Sequence, residues 1–261
     1  MKLIYLTSRF PFPINKGDKL RSFHQIKQLS KTYDVYLISL TDKLVKPSDL
    51  AQLNEFCKEI YIYPISFVSR ILNLLKTFIN NRPFQVNYFY HRSIQKKINQ
   101  NISQIKPDHI FCQLVRTALY VKENYSIPKT LDYMDALSKG LERRIQISHF
   151  LEKPFVKMEH KRMKQFENLA FEFFDNKLII SKNDRSQITH IEYSKIKIIP
   201  NGIDSNYFKK IKVEKKFDLI FIGNLSYKPN IEAAIFIAKE IYPRLKMRLP
   251  NIKIHIAGSD P

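Results

Sequence analysis

The sequence predicts an α/β protein built on a doubly wound parallel sheet, and three observations carry that prediction. Short β-branched and aromatic runs alternate with longer segments of helical period from the first residue to about Ile199. Strands separated by single helices require crossover connections, which make neighbouring strands parallel. Near the end, Ile196–Ile199 stops at Pro200, which cannot donate to a ladder, and Asn201-Gly202 follows as a turn dipeptide tolerant of positive φ. A new strand then opens at Phe217 and runs through Ile222 into Gly223-Asn224-Leu225-Ser226-Tyr227-Lys228-Pro229-Asn230 and a helix. The expected organisation is a Rossmann-like domain over 1–199, a hinge over 200–214 that includes Asn201, Gly202 and Asp204, and the first βαβ unit of a second Rossmann-like domain over 215–261.

Lys2–Thr7 is the opening strand. Ser8–Lys19 is a loop punctuated by Pro11, Pro13 and Gly17, and Asp18 can cap the helix that begins near Leu20. Lys16, Gly17 and Asp18 sit beyond the carboxyl end of the first strand, where open α/β sheets bind ligands. A single glycine also fits a plain strand-to-helix connection. Asp34–Leu40 is the second strand, Pro47–Lys58 a helix with Ser48 as its cap, and Ile60–Tyr63 the third strand.

Composition then shifts. Between Ile60 and Pro107 there is no Asp or Glu, against Arg70, Lys76, Arg82, Arg92, Lys96, Lys97 and Lys106. Inside this tract Phe67, Val68, Ile71, Leu72, Leu74, Leu75, Phe78 and Ile79 share one helical face, while Ser66, Ser69, Arg70, Asn73, Lys76, Thr77 and Asn80 share the other. Such a helix suits an anionic membrane surface, and equally suits packing on its own sheet. Helices at Ile94–Ile105 and Leu114–Asn124 flank a strand at Asp108–Cys112, and Lys129–Tyr133 is the fifth strand. Asp132 and Asp135 leave its carboxyl end together; Asp132 is suited to local hydrogen bonding, and Asp135, one step further out, to a site. Pro154–Phe174 is the longest helix, Lys177–Ser181 a strand, and Asn183 or Asp184 the cap of a short helix to Ile191. Asn230–Leu249 is a helix and Ile252–Ala257 the last strand.

The chain has 261 residues, 44% hydrophobic and 13% aromatic, enough to bury a core. A formal charge of +20 points to a polyanionic partner: a membrane face, nucleic acid or a phosphorylated small molecule. No helix-turn-helix, zinc-finger, RRM or KH signature accompanies it, which argues against nucleic acid. Two distant cysteines, Cys57 and Cys112, fit a reduced cytoplasmic setting and make zinc improbable. The N-terminal apolar run ends at Arg9, too soon for a signal peptide, and no apolar stretch of about 18 residues exists to span a bilayer.

Two segments carry a resemblance. The series IIPNGIDSNYF followed by FDLIFIGNLSYKPNIEAAIFIAKEIYPRLKMRLPNIKIHIAGSDP is similar to the interdomain joint and donor-domain start of GT-B glycosyltransferases of family 4. The opening YLTSRFPFPINKGDKLRSFHQIKQLSKTYDVYLISL resembles a branch of that family acting in surface-polysaccharide systems. The resemblance covers essentially the whole chain. It implies an N-terminal acceptor-binding domain, a C-terminal nucleotide-sugar-binding domain, transfer with retention in the cleft, no cofactor and no obligatory metal. It also implies a glycan or lipid-linked acceptor near Lys16, Gly17 and Asp18, and a donor diphosphate approached by Gly223 and Asn224 and offset by Lys228. Asn224 stands where many members have Arg, and Asp135 is nearest the slot where many have a catalytic His. The family's later donor-domain motifs would lie beyond Pro261, so the expectation is an incomplete form that transfers little sugar by itself, cytoplasmic and peripheral to the inner membrane face. The alternative is a non-catalytic basic α/β protein that binds membrane or nucleic acid.

Overall fold

The computed structural model describes residues 1–202 and 214–258; Asp204 of the expected hinge, Tyr207 and Phe208 lie outside them. The chain divides into two compact units, Met1–Gly202 and Ile203–Pro261.

The first unit is a seven-stranded, fully parallel sheet. Its strands are β1 (Lys2–Thr7), β2 (Asp34–Thr41), β3 (Glu59–Pro64), β4 (His109–Gln113), β5 (Lys129–Asp132), β6 (Asn176–Ile179) and β7 (Lys197–Ile198). They are ordered β3-β2-β1-β4-β5-β6-β7. Lys2–Thr7 pairs in register with Asp34–Ser39 on one side, and Leu3–Leu6 with His109–Cys112 on the other. Strand order therefore reverses between β1 and β4, and a crevice opens there beyond the carboxyl ends of the strands.

Alternation along the central strands feeds two cores. Leu3, Tyr5, Val35, Leu37 and Phe111 face Ile26 of α1 (Gly17–Leu29) and Leu53 of α2 (Pro47–Asn54). Ile4, Leu6, Ile38, Leu40, Ile110 and Cys112 face the other layer. That layer contains α5 (Phe84–Phe89), α6 (Arg92–Ile105) and α8 (Lys153–Phe171), with α3 (Phe67–Leu75) and α4 (Thr77–Asn80) outside it and α7 (Leu137–Ile147) packed on α8. Each fully buried Leu or Ile contributes about 1.5–3 kcal/mol, so the covered faces hold the sheet together.

Several local expectations change. Lys16, not Asp18, precedes the first turn of α1, and neither it nor Lys46 before α2 makes a side-chain cap; Ser48 does not cap α2. Ser181 caps α9 (Lys182–Arg185) by accepting from the Asp184 amide. The expected helix at Leu114–Asn124 is a 3-10 segment, Val115–Tyr120, because Leu114 takes φ 64° and turns the chain off the strand. Neither Asn201 nor Gly202 uses positive φ.

α3–α4 is turned inside out. Asn73 is 6% exposed and Thr77 0%, whereas Phe67 is 67% and Ile79 85% exposed. Asn73 donates to Tyr90 O at 2.8 Å, and Asn87 donates to Thr77 Oγ1 at 2.7 Å and to Asn80 Oδ1 at 2.9 Å. The polar residues are the ones that dock the helix, and the apolar stripe faces outward.

The second unit holds a parallel pair, β8 (Leu219–Ile222) and β9 (Ile254–Ala257), joined by α10 (Lys228–Phe236), a π-helical turn at Ile237–Ile241 and α11 (Tyr242–Arg248).

Candidate functional site

The carboxyl edge of the first unit's sheet gathers residues that are remote in sequence. Asp132, fully buried at the end of β5, accepts from Arg21 Nε at 2.7 Å, from Gln25 Nε2 at 2.6 Å and from the Met134 amide at 2.9 Å. Arg21 also donates to Asn201 Oδ1 at 2.8 Å and to the Ile199 carbonyl at 3.1 Å. One guanidinium thus ties α1 to the β5 loop and to the exit from β7. Asp132 is scaffolding, and it holds the amide of Met134, which sits at φ 64° directly before Asp135.

Gly17 and the β5 loop adjoin: a Cβ added at Gly17 would lie 3.5 Å from the Met134 methyl. Gln113 Nε2 at the end of β4 donates to the Asp18 carbonyl at 2.6 Å, and Arg9 beyond β1 donates to Asp18 Oδ2 at 3.1 Å. Lys16 and Gly17 are exposed; Asp18 and Asp135 are half-buried. Burial, and then the nearby Asp184 carboxylate, push the Asp135 carboxyl above the usual range, with Arg116 opposing. Arg116 is pulled down to about 10 by burial and by Arg9, with Asp18 and Asp135 acting against that fall. Asp18, Arg116 and Asp135 therefore share one electrostatic neighbourhood near the strand-order reversal.

Sequence reasoning missed Arg9 and Arg116. Beside them opens a cavity of about 260 Å³, bounded also by Asp42, Leu74, Phe84 and Tyr88. Arg116 donates to Gln85 Oε1 at 3.1 and 2.6 Å through Nε and Nη2. The available signal was positional: each arginine lies just past the carboxyl end of a central strand.

In the second unit Gly223 follows β8 directly and donates its amide to Ala257 O at 3.0 Å. Gly258, just past β9, is held so close that an added Cβ would lie 1.7 Å from the Gly223 carbonyl oxygen. Asn224 Oδ1 accepts from the Ser226 amide at 2.8 Å and from Ser226 Oγ at 2.6 Å, and its carbonyl accepts from Asn230 Nδ2 at 2.9 Å. Lys228 opens α10, exposed, with Glu232 at 4.0 Å. The Asn224 side chain is occupied in shaping the loop, while the Lys228 ammonium stays at the helix start. Among the described residues no cluster of three or more His, Cys, Asp or Glu is placed to hold a metal, and no helix is long and apolar enough to cross a membrane.

Comparison with known proteins locates the fold. Sucrose-phosphate synthase from Thermosynechococcus elongatus superposes with a TM-score of 0.54 over 85% of this chain and 55% of its own, at 10% identity. The sheet is of the Rossmann-like kind found in GT-B glycosyltransferases. Phytolacca americana UGT2, complexed with UDP-2fluoro-glucose and pterostilbene, is also similar, with a TM-score of 0.49 at 11% identity over 85% of this chain and 59% of its own. In sequence, an uncharacterized 44.6 kDa protein in the cps region of Klebsiella pneumoniae is 27% identical over 278 residues, covering 99% of this chain. This chain spans 65% of that relative's length. No family model matches the chain.

Proposed function

We propose that the protein is a glycosyltransferase of the family-4 type, moving a sugar from a nucleotide-sugar donor to a glycan or lipid-linked acceptor in surface-polysaccharide assembly. The observation that carries the reading is the convergence of the Lys16–Asp18 loop, Asp135 and Arg116 at the strand-order reversal of a GT-B-like sheet. The cps-region setting of the Klebsiella relative supports the polysaccharide context.

In this reading the unit Met1–Gly202 binds the acceptor and the second unit contributes to donor binding. The acceptor hydroxyl hydrogen-bonds to Asp135, which orients its oxygen toward the anomeric carbon. That oxygen forms the new bond as the bond from the anomeric carbon to the diphosphate breaks. The hydroxyl proton passes to the departing diphosphate, with retention of configuration. The Gly223 loop suits a diphosphate because it runs from a strand end into the start of α10, where backbone amides point outward and Lys228 offsets charge; Gly258 lets the β9 end pass close to the Gly223 carbonyl. No cofactor or metal is needed for this chemistry.

We also propose that α3–α4 rests on an anionic membrane surface. The outward apolar stripe, set in a tract without carboxylates between Ile60 and Pro107, supports it. The test of the whole reading is transfer of label from UDP- and GDP-sugars to lipid-linked acceptors by the polypeptide carrying this sequence. Labelled lipid product is expected; release of free sugar alone would identify a hydrolase instead.

A further inference from the structure

We infer that the cavity beside Arg9 and Arg116 takes the phosphate of a long-chain phosphate ester, and that the ester's hydrocarbon lies along the outward face of α3–α4. The inference rests on the proposed acceptor role of the first unit and names the acceptor's class. Size sets the first limit: about 260 Å³ is just below the ~300 Å³ at which small-molecule sites usually begin, room for a headgroup but not for a whole acceptor.

Charge sets the second. Arg9 meets Asp18 at 3.1 Å. Asp42 meets Arg70 at 3.9 Å and accepts from Tyr88 Oη at 3.0 Å. Arg116 has an uncharged partner, the Gln85 side-chain oxygen, in place of a carboxylate. It is therefore the cation left over among these groups, half-buried and repelled by Arg9. A guanidinium so placed favours a phosphate, whose oxygens match its planar donors. A neutral sugar in the same space would leave the guanidinium without a directly bonded anion, the Asp18 and Asp135 carboxylates acting on it only through space.

The walls set the third. Leu74 on one side of the cavity belongs to α3, flanked there by the exposed Leu72 and Leu75. Phe84 on another side stands edge-on to Phe78, ring centroids 5.8 Å apart, and Phe78 is exposed on α4. The cavity lining is thus continuous with the apolar stripe through Leu74 and through Phe84–Phe78, so a ligand with an anionic head and an aliphatic tail satisfies both at once. A soluble phosphate would use only the head position, and a plain hydrocarbon only the stripe.

Calorimetric titration separates these ligands without any sugar transfer. Decyl phosphate below its micelle concentration, inorganic phosphate and decyl maltoside are each added to the protein, to Arg116→Gln and to Phe78→Asp, with thermal melting as the folding control. Decyl phosphate should bind at least tenfold tighter than either of the others. Arg116→Gln should weaken decyl phosphate about tenfold or more, the scale of a lost charge-assisted hydrogen bond. Phe78→Asp, at an exposed position and so tolerated by the fold, should weaken decyl phosphate and leave inorganic phosphate unchanged. Equal binding of decyl maltoside and decyl phosphate would overturn the inference, as would inorganic phosphate matching decyl phosphate, or folded Arg116→Gln binding as the parent does. Should Arg116→Gln fail to fold, the Phe78→Asp result decides alone. Sugar transfer to another acceptor, with decyl phosphate unbound, would overturn this inference and leave the transferase reading standing.

Discussion

Replacing Arg21 by Ala should cost the first unit more than any surface substitution, and the structure sets the size. Arg21 is buried and donates through all three nitrogens: to Asp132 at 2.7 Å, to Asn201 at 2.8 Å and to the Ile199 carbonyl at 3.1 Å. Its removal leaves Asp132 fully buried with only Gln25 and the Met134 amide as donors. Breaking a buried ion pair by deleting one partner costs about 3–5 kcal/mol, because the survivor's charge is uncompensated. For a unit of this size, 1 kcal/mol moves a melting midpoint by about 2–4 °C, so a fall on the order of 10 °C is expected. Arg21→Lys should recover little, since an ammonium cannot span three partners in one plane. The double variant Arg21→Met/Asp132→Leu should melt higher than Arg21→Ala alone. The assay is thermal unfolding followed by near-UV circular dichroism. A shift below about 3 °C for Arg21→Ala would mean that the pair is solvated and the reasoning wrong.

Three further outcomes are expected. Glu167 is buried, accepts from the Ser138 amide at 3.1 Å, and burial pushes its carboxyl from 4.5 up to about 7. The folded state then holds this proton longer than the unfolded one, so stability is lost as pH rises from the unfolded to the folded pKa, by up to about 3 kcal/mol. Glu167→Gln should flatten that slope between pH 5 and 8 in thermal melts; an unchanged slope would contradict it. Gly258→Ala should open the β8–β9 pair and speed amide exchange at Leu219–Ile222, because its Cβ would meet the Gly223 backbone. Gly223→Ala should do less, since its Cβ would meet the movable Asn230 side chain at 2.9 Å, and equal effects would refute that contrast. Leu72→Glu/Leu75→Glu, at two exposed positions, should abolish flotation with anionic liposomes while leaving the melting curve in place; unchanged flotation would remove the membrane proposal.

How far the sequence could be read depended on the range of each interaction. Strands such as Asp34–Thr41 were plain, since a run buried on both faces reads as a nearly continuous apolar stretch, here Val35–Leu40 with Ser39 as the one polar residue. α7 was missed because Leu137, Leu141 and Ile145 are few apolar positions among charges. The period of Phe67–Ile79 shows that an apolar face exists and is silent on its direction, which here is set by Asn73, Thr77 and Asn87 bonding inward. Lys16, Gly17, Asp18 and Asp135 could be proposed from their places after strand ends. Arg9 and Arg116, by contrast, meet only once β1 and β4 are neighbours, and the Arg21–Asp132 pair spans 111 positions. Neither leaves a local pattern.

The central claim is sugar transfer oriented by Asp135, and label transfer by the polypeptide carrying this sequence, as parent and as Asp135→Asn, tests it most directly. Asn keeps the shape of Asp135 and removes the charge that holds the acceptor hydroxyl. The account predicts labelled lipid-linked product with the parent, a fall of about a hundredfold or more with Asp135→Asn, and equal melting midpoints for the two. Equal rates for both proteins would contradict it.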